Sequence, residues 1–364
     1  MRVLFFLLDG DTNASSRHRA LQYFPLLRQA DIQPVASRPV PEMVYERLMD
    51  RGPATTSGRA AYYSLFLATR TLDVLRSDQY DVAVIQRDLF PFGPPWLERM
   101  LSARTRRLVY DTDDATYLRP AFTPNTPFQR LRRFDKVVEV VRRSRWVSAA
   151  TEPIASWARQ YNPNVSVVPM AVDLAEYDRA QTAASARQTN GPVVIGWAGT
   201  AGGLRYLEAL APVLRDLASR HELTVRVVSG GYKSICLPGV PVDARPWRPK
   251  TGLAEMAHFD IGLVPLDDTP FEQAKFPFKL LQYLALGVPS ISARVGTAAA
   301  LIHDGDNGLL AGSADEWRGR LEALILDRAL RQRLGAAGRE TVAESYSIER
   351  VAPLLIQGLT NAAA

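Results

Sequence analysis

Two lysines precede and begin an apolar segment in the second half of the chain. Lys275 and Lys279 lie four residues apart, on one side of the first turns of a helix predicted within 270–293 (PFEQAKFPFKLLQYLALGVPSISA), where leucines recur at helical spacing before a Gly-Val-Pro turn and a strand. Cations are unfavourable at the start of a helix, because the helix dipole is positive there. A phosphate bound by the first-turn N–H groups and by both ammonium groups would compensate the positive charges of the two lysines. The pattern predicts an anion site, with a solvated lysine face as the alternative.

Two loops that follow predicted strands carry residues suited to binding polar groups. The glycine-rich stretch 196–203, at the end of strand 193–197, would let the backbone approach a phosphate, with Arg205 just inside the next helix. In the first half of the chain, strand 3–8 runs into the polar loop 9–16, where a polar ligand would fit. Both loops are therefore candidate binding sites.

An acidic run, Asp111, Asp113 and Asp114, follows another short predicted strand. Three neighbouring carboxylates repel one another unless they cap a helix, pair with Arg87 or Arg119, or bind substrate hydroxyls. The sequence favours the capping and the catalytic interpretations equally.

The composition is that of an ordinary globular chain. Its 364 residues are 47% hydrophobic and 23% charged, which is enough for about two domains. Cys236 is the only cysteine and the four histidines lack ligand spacing, so neither a disulfide nor a structural metal is expected. The apolar run 3–8 is too short for a signal peptide, and no run reaches the roughly 18 apolar residues of a membrane helix. We expect a cytoplasmic protein.

Positive charge is concentrated between residues 101 and 150, with 11 Lys and Arg against 5 Asp and Glu. The segment 127–146 can be drawn as an amphipathic helix in peripheral contact with anionic lipid, or as a core-packed helix with a solvated basic face. Its predicted apolar face carries Leu131, Phe134, Val138 and Val141, and its basic residues are Arg130, Arg133, Arg142 and Arg143. Without interleaved aromatic residues or a binding motif, the pattern does not indicate nucleic-acid binding.

Short apolar strands alternate with helical segments through both halves of the chain. The predicted strands are 3–8, 82–86, 108–110, 146–149, 165–168, 193–197, 224–228, 261–264 and 290–293. Strands of this kind belong to parallel sheets that helices cover on both faces. The pattern therefore predicts two Rossmann-like, doubly wound α/β domains, at 1–170 and 192–347, which face each other across a cleft. The polar, aperiodic segment 171–191 is predicted to be a linker.

Several segments together resemble the family 4 glycosyltransferases, which are retaining enzymes of the two-domain GT-B fold. The second-half segments are VVIGWAG (193–199), FDIGLVPL (259–266), KFPFKLLQYLALGVPSISA (275–293), DGDNG (304–308) and the helical 327–347. In the first half, SSRHRA (15–20) and YDTDDATY (110–117) resemble a bacterial subgroup of the same family. The resemblance implies a C-terminal helix, 348–364, that crosses back to the first domain with Val351, Leu354, Leu355 and Leu359 docked.

The resemblance also implies transfer of a sugar from a UDP- or GDP-sugar to a hydroxyl acceptor, without a metal or cofactor. In this family, one glutamate faces the transferred sugar and a second, eight positions later, holds the donor ribose. Here Ala274 stands in the first place, with Glu272 two positions away, and Gln282 stands in the second. The family's Arg and Lys pair that neutralises the diphosphate is not matched, since Thr200 stands near the arginine place, and Arg205, Lys275 and Lys279 are assigned as its substitutes. The catalytic residues assigned on this basis are Lys279, Arg205, Glu272 and Asp113. The implied donor-binding residues are Gly10, Gly199, Thr200, Lys275, Phe276, Pro277, Phe278 and Gln282. The implied acceptor residues are Arg17, His18, Asp111 and Asp114.

Two other functions remain compatible with these residues. A GT-B epimerase or hydrolase would share the phosphate site but would need an acid and base pair or a positioned water. A non-catalytic nucleotide-sugar-binding or scaffold protein would explain the departures at Ala274 and Gln282. The basic segment favours a lipid-linked or membrane-proximal acceptor, such as a cell-envelope glycan, although the same charge could steer a soluble anionic acceptor.

Overall fold

The computed structural model describes residues 1–11, 13–45, 56–105, 107–120, 131–184 and 191–364. These residues form two compact units, each built on its own sheet. Unit 1 comprises Met1–Ala171, Ala274–Phe276 and Ile348–Ala364. Unit 2 comprises Val172–Gln273 and Pro277–Ser347.

Each unit contains a six-stranded sheet in which every strand pair is parallel. The strands of unit 1 are β1 (Arg2–Phe6), β2 (Gln33–Ser37), β3 (Val82–Gln86), β4 (Leu108–Thr112), β5 (Trp146–Ala149) and β6 (Val165–Val167). The strands of unit 2 are β7 (Val193–Gly199), β8 (Leu223–Ser229), β9 (Val242–Pro246), β10 (Ile261–Val264), β11 (Ser290–Ala293) and β12 (Leu309–Ala311). Most of the inner strands are fully buried, which explains their continuous apolar sequences.

The helices follow in chain order. Those of the first half are α1 (Ala14–Arg19), α2 (Phe24–Gln29), α3 (Thr56–Leu75), α4 (Trp96–Arg104), α5 (Lys136–Arg143) and α6 (Glu152–Arg159). The next are α7 (Leu174–Ala184), α8 (Leu204–Ala209), α9 (Ala211–Arg220), α10 (Gly252–Met256) and α11 (Pro270–Ala274). The last are α12 (Phe278–Ala285), α13 (Gly296–Leu301), α14 (Ala314–Leu326), α15 (Arg328–Ser345) and α16 (Ile348–Ala363).

Strand order reverses once in each sheet. The unit 1 sheet runs β2-β1-β3-β4-β5-β6, and the unit 2 sheet runs β9-β8-β7-β10-β11-β12. The second is the dinucleotide-binding order, with successive strands added on both sides of the first. Ligands of open parallel sheets bind at the carboxyl ends of the strands where the order reverses. These reversal points lie between β1 and β3 in unit 1 and between β7 and β10 in unit 2.

The predicted linker contains a helix. Residues 174–184 form α7, although the sequence there showed no apolar period. The helix is held through Tyr177, whose hydroxyl accepts a hydrogen bond from Gln282, and through Gln181, which donates to the Leu286 carbonyl. A few specific polar contacts therefore replace the apolar face that the sequence lacks. Of the predicted linker, residues 185–190 lie outside the described part of the chain.

The helix predicted at 127–146 is shorter and is turned differently. α5 begins at Lys136, and the core side carries Val137, Val140 and Val141, so the predicted face with Phe134 and Val138 is wrong. Lys136 is buried and forms ion pairs with Asp88 and Glu98. Glu139 accepts hydrogen bonds from Arg99 and Arg143. The apolar side of α5 is thus used by the core, as in the core-packed alternative. Residues 127–130, including Arg130, lie outside the described residues.

The C-terminal helix α16 packs on the core of unit 1. Its residues Ile348, Val351, Ala352, Leu355, Leu359 and Ala362 join the cluster formed by β1, β3 and the helices beside them. Gly358 faces Trp146, and a Cβ atom at this glycine would lie 2.2 Å from the indole ring. The predicted return of this helix is confirmed. Leu354 was also expected to dock, but it is 44% exposed.

Among the described residues, no helix is long and apolar enough to cross a membrane.

Candidate functional site

The glycine-rich loop of unit 2 lies at the point where strand order reverses. β7 ends at Gly199, and a short turn, Ala201–Gly203, leads into α8. The Trp197 side chain lies 2.5 Å from the position that a Cβ atom at Gly199 would occupy. Packing around this indole therefore accounts for Gly199. Thr200 is exposed beside it.

Arg205 joins the two sides of this reversal point. Its guanidinium lies 3.3 Å from the Asp267 carboxylate in the loop after β10, and 3.8 Å from Glu272. Its Nη2 also donates to the Tyr206 hydroxyl at 2.8 Å. The Arg205 side chain remains 36% exposed, so its cation is oriented by protein groups and is still accessible to a ligand.

Glu272 supports Arg205 from a buried position. Its residue is 1% exposed, and its two carboxylate oxygens accept hydrogen bonds from the Tyr206 and Thr269 hydroxyls. Burial and the bond to Glu272 raise the pKa of Tyr206 to about 12. Tyr206 therefore stays protonated and connects Arg205 to the carboxylate. The structure places Glu272 inside unit 2, engaged by protein hydroxyls.

The start of α12 carries the second cation of the candidate site, after Arg205. Lys279 Nζ donates to Gln282 Oε1 at 3.0 Å and lies 5.9 Å from the centre of the Trp247 ring. Gln282 Nε2 in turn donates to the Tyr177 hydroxyl at 3.1 Å. Gln282 is 5% exposed, so its amide is fixed on both sides. Tyr177 and Trp247 were not predicted, since neither lies in a motif or an apolar period.

The prediction that Lys275 and Lys279 share one helix face is wrong. Pro277 has no N–H group and disfavours a helical conformation at Phe276, so α12 begins only at Phe278. Lys275 and the buried Phe276 form an irregular segment that belongs to unit 1. In the same unit, the carbonyl of Ala274 accepts a hydrogen bond from Thr151 Oγ1 at 2.6 Å. The two lysines therefore lie on different elements.

In unit 1, Arg87 organises the acidic run. It follows β3 directly and has φ of +61°, a left-handed conformation that costs about 1–3 kcal/mol in a non-glycine residue. Its guanidinium lies 2.6 Å from Asp113 and 2.7 Å from Asp114, and it donates to Ser15 Oγ at 3.0 Å. Ser15 Oγ donates to Asp113 at 2.7 Å. The predicted alternative of pairing with Arg87 is thus the one observed for Asp113 and Asp114.

The two carboxylates differ in protonation behaviour. Burial alone would raise the pKa of Asp113, but the charge and hydrogen bond of Arg87 lower it to about 2. Burial raises the pKa of Asp114, which the charges of Arg87 and Lys275 only partly offset. Asp113 is therefore ionised at neutral pH and holds Arg87. Asp114, whose side chain is 29% exposed, is the more accessible of the two.

Asp111 is committed to a buried ion pair with Arg19. The guanidinium of Arg19 bonds both carboxylate oxygens and also donates to Ser148 Oγ at 2.9 Å.

Of the other residues predicted for the acceptor, His18 is buried with Nδ1 3.5 Å from Gln22, and Arg17 is half-buried. The buried Gly10 leaves no space for a side chain, because a Cβ atom there would lie 2.5 Å from Glu42.

Asp9 is a candidate residue that the sequence interpretation did not single out. It follows β1 at the reversal point of unit 1 and accepts hydrogen bonds from the Tyr62 hydroxyl at 2.8 Å and from the Gly10 N–H at 3.2 Å. Burial raises the pKa of Asp9 to about 6. Its place in the polar loop after the first strand was the signal that could have found it. Among the described residues, no group of three or more acidic, histidine or cysteine side chains could hold a metal ion.

The chain is similar to known glycosyltransferases. Residues 208–357 match a family model described as glycosyl transferase-like. Over 84 residues, the chain is 31% identical to the lipopolysaccharide core biosynthesis glycosyltransferase LpsE of Rhizobium meliloti. The aligned part is 22% of this chain and only 25% of that protein.

Solved structures match along nearly the whole chain. HepE of Anabaena, in complex with UDP and glucose, covers 99% of both chains with a TM-score of 0.67 at 15% identity. The chain has the GT-B fold. The sucrose-phosphate synthase of Thermosynechococcus elongatus matches 98% of both chains with a TM-score of 0.67 at 13% identity. A glycosyltransferase of Rickettsia africae matches with a TM-score of 0.66 at 11% identity, over 99% of this chain and 98% of that one. The GT-B prediction is thereby confirmed.

Proposed function

We propose that this GT-B chain is a glycosyltransferase that moves a sugar from a nucleotide-diphosphate sugar to a hydroxyl acceptor. The observation that carries the proposal is Arg205, an accessible cation held at the strand reversal point of unit 2 by Asp267, Tyr206 and Glu272. This is the position at which open parallel sheets bind ligands. The match of residues 208–357 to a glycosyl transferase-like family supports the reaction class.

Unit 2 is proposed to bind the donor. Arg205 and Lys279 bind the diphosphate together with the N–H groups at the start of α12, around Phe278, and the backbone after Gly199 and Thr200. Gln282 holds the ribose hydroxyls through its amide, which Tyr177 and Lys279 orient. Pro277, which directly precedes α12 in unit 2, lies beside these N–H groups, whereas Lys275 and Phe276 belong to unit 1 and are left out of this donor site.

The chemistry proposed for this site is stabilisation of the leaving group. The bond between the anomeric carbon and the phosphate oxygen breaks while negative charge grows on the diphosphate. Arg205 and Lys279 stabilise that charge in the transition state, where fixed cations and N–H groups have their largest effect. Glu272 is assigned as a positioning residue, since it reaches Arg205 through Tyr206.

Unit 1 is proposed to bind the acceptor at its own reversal point. Asp114, Arg17 and His18 contact the acceptor, while Asp113 fixes Arg87 and Asp111 fixes Arg19. The name of the similar LpsE protein concerns the lipopolysaccharide core, which supports a cell-envelope glycan or lipid-linked acceptor here. We place the reaction in a bacterial cytoplasm, at the inner face of the cytoplasmic membrane.

We further propose that the chain belongs to family 4 and retains the anomeric configuration of the sugar. UDP is the first nucleotide to test, because the similar HepE was crystallised with UDP and UDP-glucose, and GDP is the second. A donor that is bound without turnover would instead support a non-catalytic nucleotide-sugar-binding protein. The substitutions of the two family glutamates by Ala274 and Gln282 favour that second function.

The proposal is tested by titrating the purified protein with UDP-, GDP-, ADP- and dTDP-sugars in a calorimeter. Nucleotide release from any bound donor is then followed with an extract of glycolipid and oligosaccharide acceptors. We expect one donor to bind and to release its nucleotide only with acceptor present, and NMR of the product to show retained configuration. Binding without release would leave the scaffold function, and binding of no donor would refute both.

A further inference from the structure

Asp9 differs from the other aspartates at the carboxyl end of the unit 1 sheet, because it is not held in an ion pair. Among the described residues, its side chain accepts hydrogen bonds from neutral groups only. Each of the others forms an ion pair: Asp11 with Arg38, Asp88 with Lys136, Asp111 with Arg19, and Asp113 and Asp114 with Arg87. The charge of Asp9 therefore remains available to a ligand.

The two carboxylate oxygens of Asp9 have different surroundings. Oδ1 accepts hydrogen bonds from the Tyr62 hydroxyl at 2.8 Å and from the Gly10 N–H at 3.2 Å. Burial and the charge of Asp9 raise the pKa of Tyr62, so its hydroxyl stays protonated and donates. Oδ2 receives no hydrogen bond from the described part of the chain, and the residue is partly exposed. Oδ1 thus fixes the side chain, and Oδ2 can accept a proton.

Two elements place charged or titratable groups around this carboxylate. Helix α3 contributes Tyr62, Tyr63 and Arg70, and the segment after β2 contributes Glu42. Burial raises the pKa of Asp9 to about 6; the hydrogen bonds to Oδ1 and the charge of Arg70 offset part of the rise, and the charge of Glu42 adds to it. Asp9 is therefore ionised at neutral pH and is a stronger base than an ordinary aspartate.

Neutral groups from β3 and α1 fix the backbone on either side of Asp9. Gln86, at the end of β3, accepts from the Leu8 N–H at 2.8 Å and donates to the Ser15 carbonyl at 2.7 Å. Ser16 Oγ, on α1, accepts from the Asp9 N–H at 3.3 Å. A catalytic group is most effective when such contacts fix its position in advance. The base is thus held at the reversal point without added charge.

Aromatic rings adjoin the Asp9 carboxylate. The Tyr62 ring, whose hydroxyl bonds Asp9, lies 5.1 Å from the Tyr63 ring, and the Tyr63 ring lies 4.8 Å from the Phe92 ring, as measured between ring centres. All three side chains are half-buried. Aromatic side chains beside a few polar groups, one of them with a shifted pKa, are typical of a site for a small molecule.

We propose that Asp9 is the general base that removes the proton from the acceptor hydroxyl. The acceptor O–H bond breaks, and its proton passes to Asp9 Oδ2. The acceptor oxygen forms a bond to the anomeric carbon, while the bond from that carbon to the phosphate oxygen breaks and its electron pair leaves on the diphosphate. The assignment rests on the proposed glycosyltransferase function and adds a catalytic residue in unit 1.

The test is the pH dependence of nucleotide release between pH 5 and pH 8. The donor is the one that the calorimetric titration selects, and the extract of glycolipids and oligosaccharides is kept below saturation. The rate of the unchanged protein should fall below about pH 6, where Asp9 becomes protonated. Asp9→Asn should lower the rate at pH 7.5 by about 10²–10⁴-fold and abolish this pH dependence. Its donor affinity and its thermal unfolding temperature should not fall.

A second variant supplies the base from solution. Asp9→Ala leaves space beside Tyr62, so added formate should restore part of its rate. The control is Asp78→Asn, which removes an exposed carboxylate before the amino end of β3. It should keep the rate and the pH dependence of the unchanged protein.

Two kinds of failure are distinguishable in these measurements. Full turnover of Asp9→Asn, or the same loss of rate below pH 6 in that variant, would overturn the role of Asp9 and leave the transferase function intact. Failure of formate to raise the rate of a folded Asp9→Ala protein would count against the base in the same way. An unchanged protein that releases no nucleotide would refute the transferase function and this assignment together.

Discussion

The Arg205 guanidinium lies 3.3 Å from the Asp267 carboxylate, and the pair connects the helix after β7 with the loop after β10. Both side chains are partly exposed, and ion pairs of this kind contribute only about 0–1 kcal/mol. A diphosphate can therefore replace Asp267 as the partner of Arg205. Glu272 stays behind the arginine, because its carboxylate is buried among hydroxyl groups.

Asp267→Asn should tighten nucleotide-diphosphate binding by up to about 5-fold, since the competing carboxylate is removed. Calorimetric titration with the nucleotide diphosphate measures the change. The control is Asp268→Asn, which removes the same charge at the next residue. The Asp268 side chain accepts a hydrogen bond from Gln273 at 2.6 Å. An equal gain in both variants would mean that general charge, and not the pair with Arg205, is responsible.

Lys279→Ala should lower turnover by roughly 10²-fold, comparable with the loss of one preorganised donor to a leaving group. Donor binding should weaken less than turnover, because the charge on the diphosphate is greatest in the transition state. The measurement is nucleotide release under saturating donor. Arg328→Ala, a loss of one exposed cation on α15, should leave the rate unchanged. A folded Lys279→Ala protein with full turnover would exclude this lysine from the site.

Gln282→Glu should preserve donor binding, whereas Gln282→Leu should weaken it by more than about 10-fold. A glutamate can accept a hydrogen bond from Lys279. It can also accept one from Tyr177 once the tyrosine hydroxyl has rotated to donate. Leucine removes the Gln282 hydrogen bond to each of these groups and cannot bond the ribose, at a cost of about 0.5–1.5 kcal/mol for each hydrogen bond lost. Donor titration and a thermal unfolding curve of both variants separate binding from stability. Similar donor affinity in the two variants would show that residue 282 does not contact the ribose.

Asp9→Asn should stabilise the protein at neutral pH. Because the pKa of Asp9 is about 6 in the folded protein, above the ordinary 3.8, folding favours its protonated form. The stability it contributes is complete below pH 3.8 and is lost as the pH rises through about 6. Asparagine removes that penalty of about 3 kcal/mol at pH 7.5 and can still accept the Tyr62 hydrogen bond.

The check on Asp9 is a series of denaturant unfolding curves between pH 4 and pH 8. The free energy of unfolding of Asp9→Asn should exceed that of the unchanged protein at the upper end, and the difference should shrink toward pH 4. A difference independent of pH would mean that Asp9 titrates normally.

Gly358→Ala should destabilise unit 1 by about 1–3 kcal/mol, because the new methyl group would overlap the Trp146 ring. Ordinary helix propensity favours alanine over glycine by about 1 kcal/mol, so the sign of the effect tests the contact. Gly319→Ala in α14 is the control, since no atom lies within 4 Å of the added Cβ. It should stabilise. Equal gains in thermal unfolding temperature at both positions would show that α16 is not seated against Trp146.

Strands were the best predicted part of the fold. β3, β5, β10 and β11 have the predicted bounds, because four or five successive apolar or small residues between turn signals leave few alternatives in a buried parallel sheet. β2, β9 and β12 were missed. β9 is an edge strand, and its polar residues, such as Arg245 paired with Asp243, show no buried run.

The candidate site was only partly predictable, because the contacts that orient its residues join positions that are distant in sequence. Arg205 and Lys279 follow from loop position and helix start, which are local signals. The contacts that orient them come from residues distant in sequence, such as Tyr177 with Gln282, 105 positions apart. No periodicity encodes such a pair. Similarly, the acidic run gave the carboxylates, but only the fold shows that Asp111 belongs to Arg19 and Asp113 to Arg87.

The packing of α16 on unit 1 sets an order for folding during synthesis. Residues 348–363 leave the ribosome after all of unit 2. The nascent first unit therefore lacks α16 while about 170 further residues are translated, which takes roughly 10–35 s at usual elongation rates. During that interval, the side of β1 and β3 that later contacts Val351, Leu355 and Leu359 is uncovered. Unit 2 needs no such late segment, since its residues end at Ser347. The second unit to be made is therefore the first that can be completed.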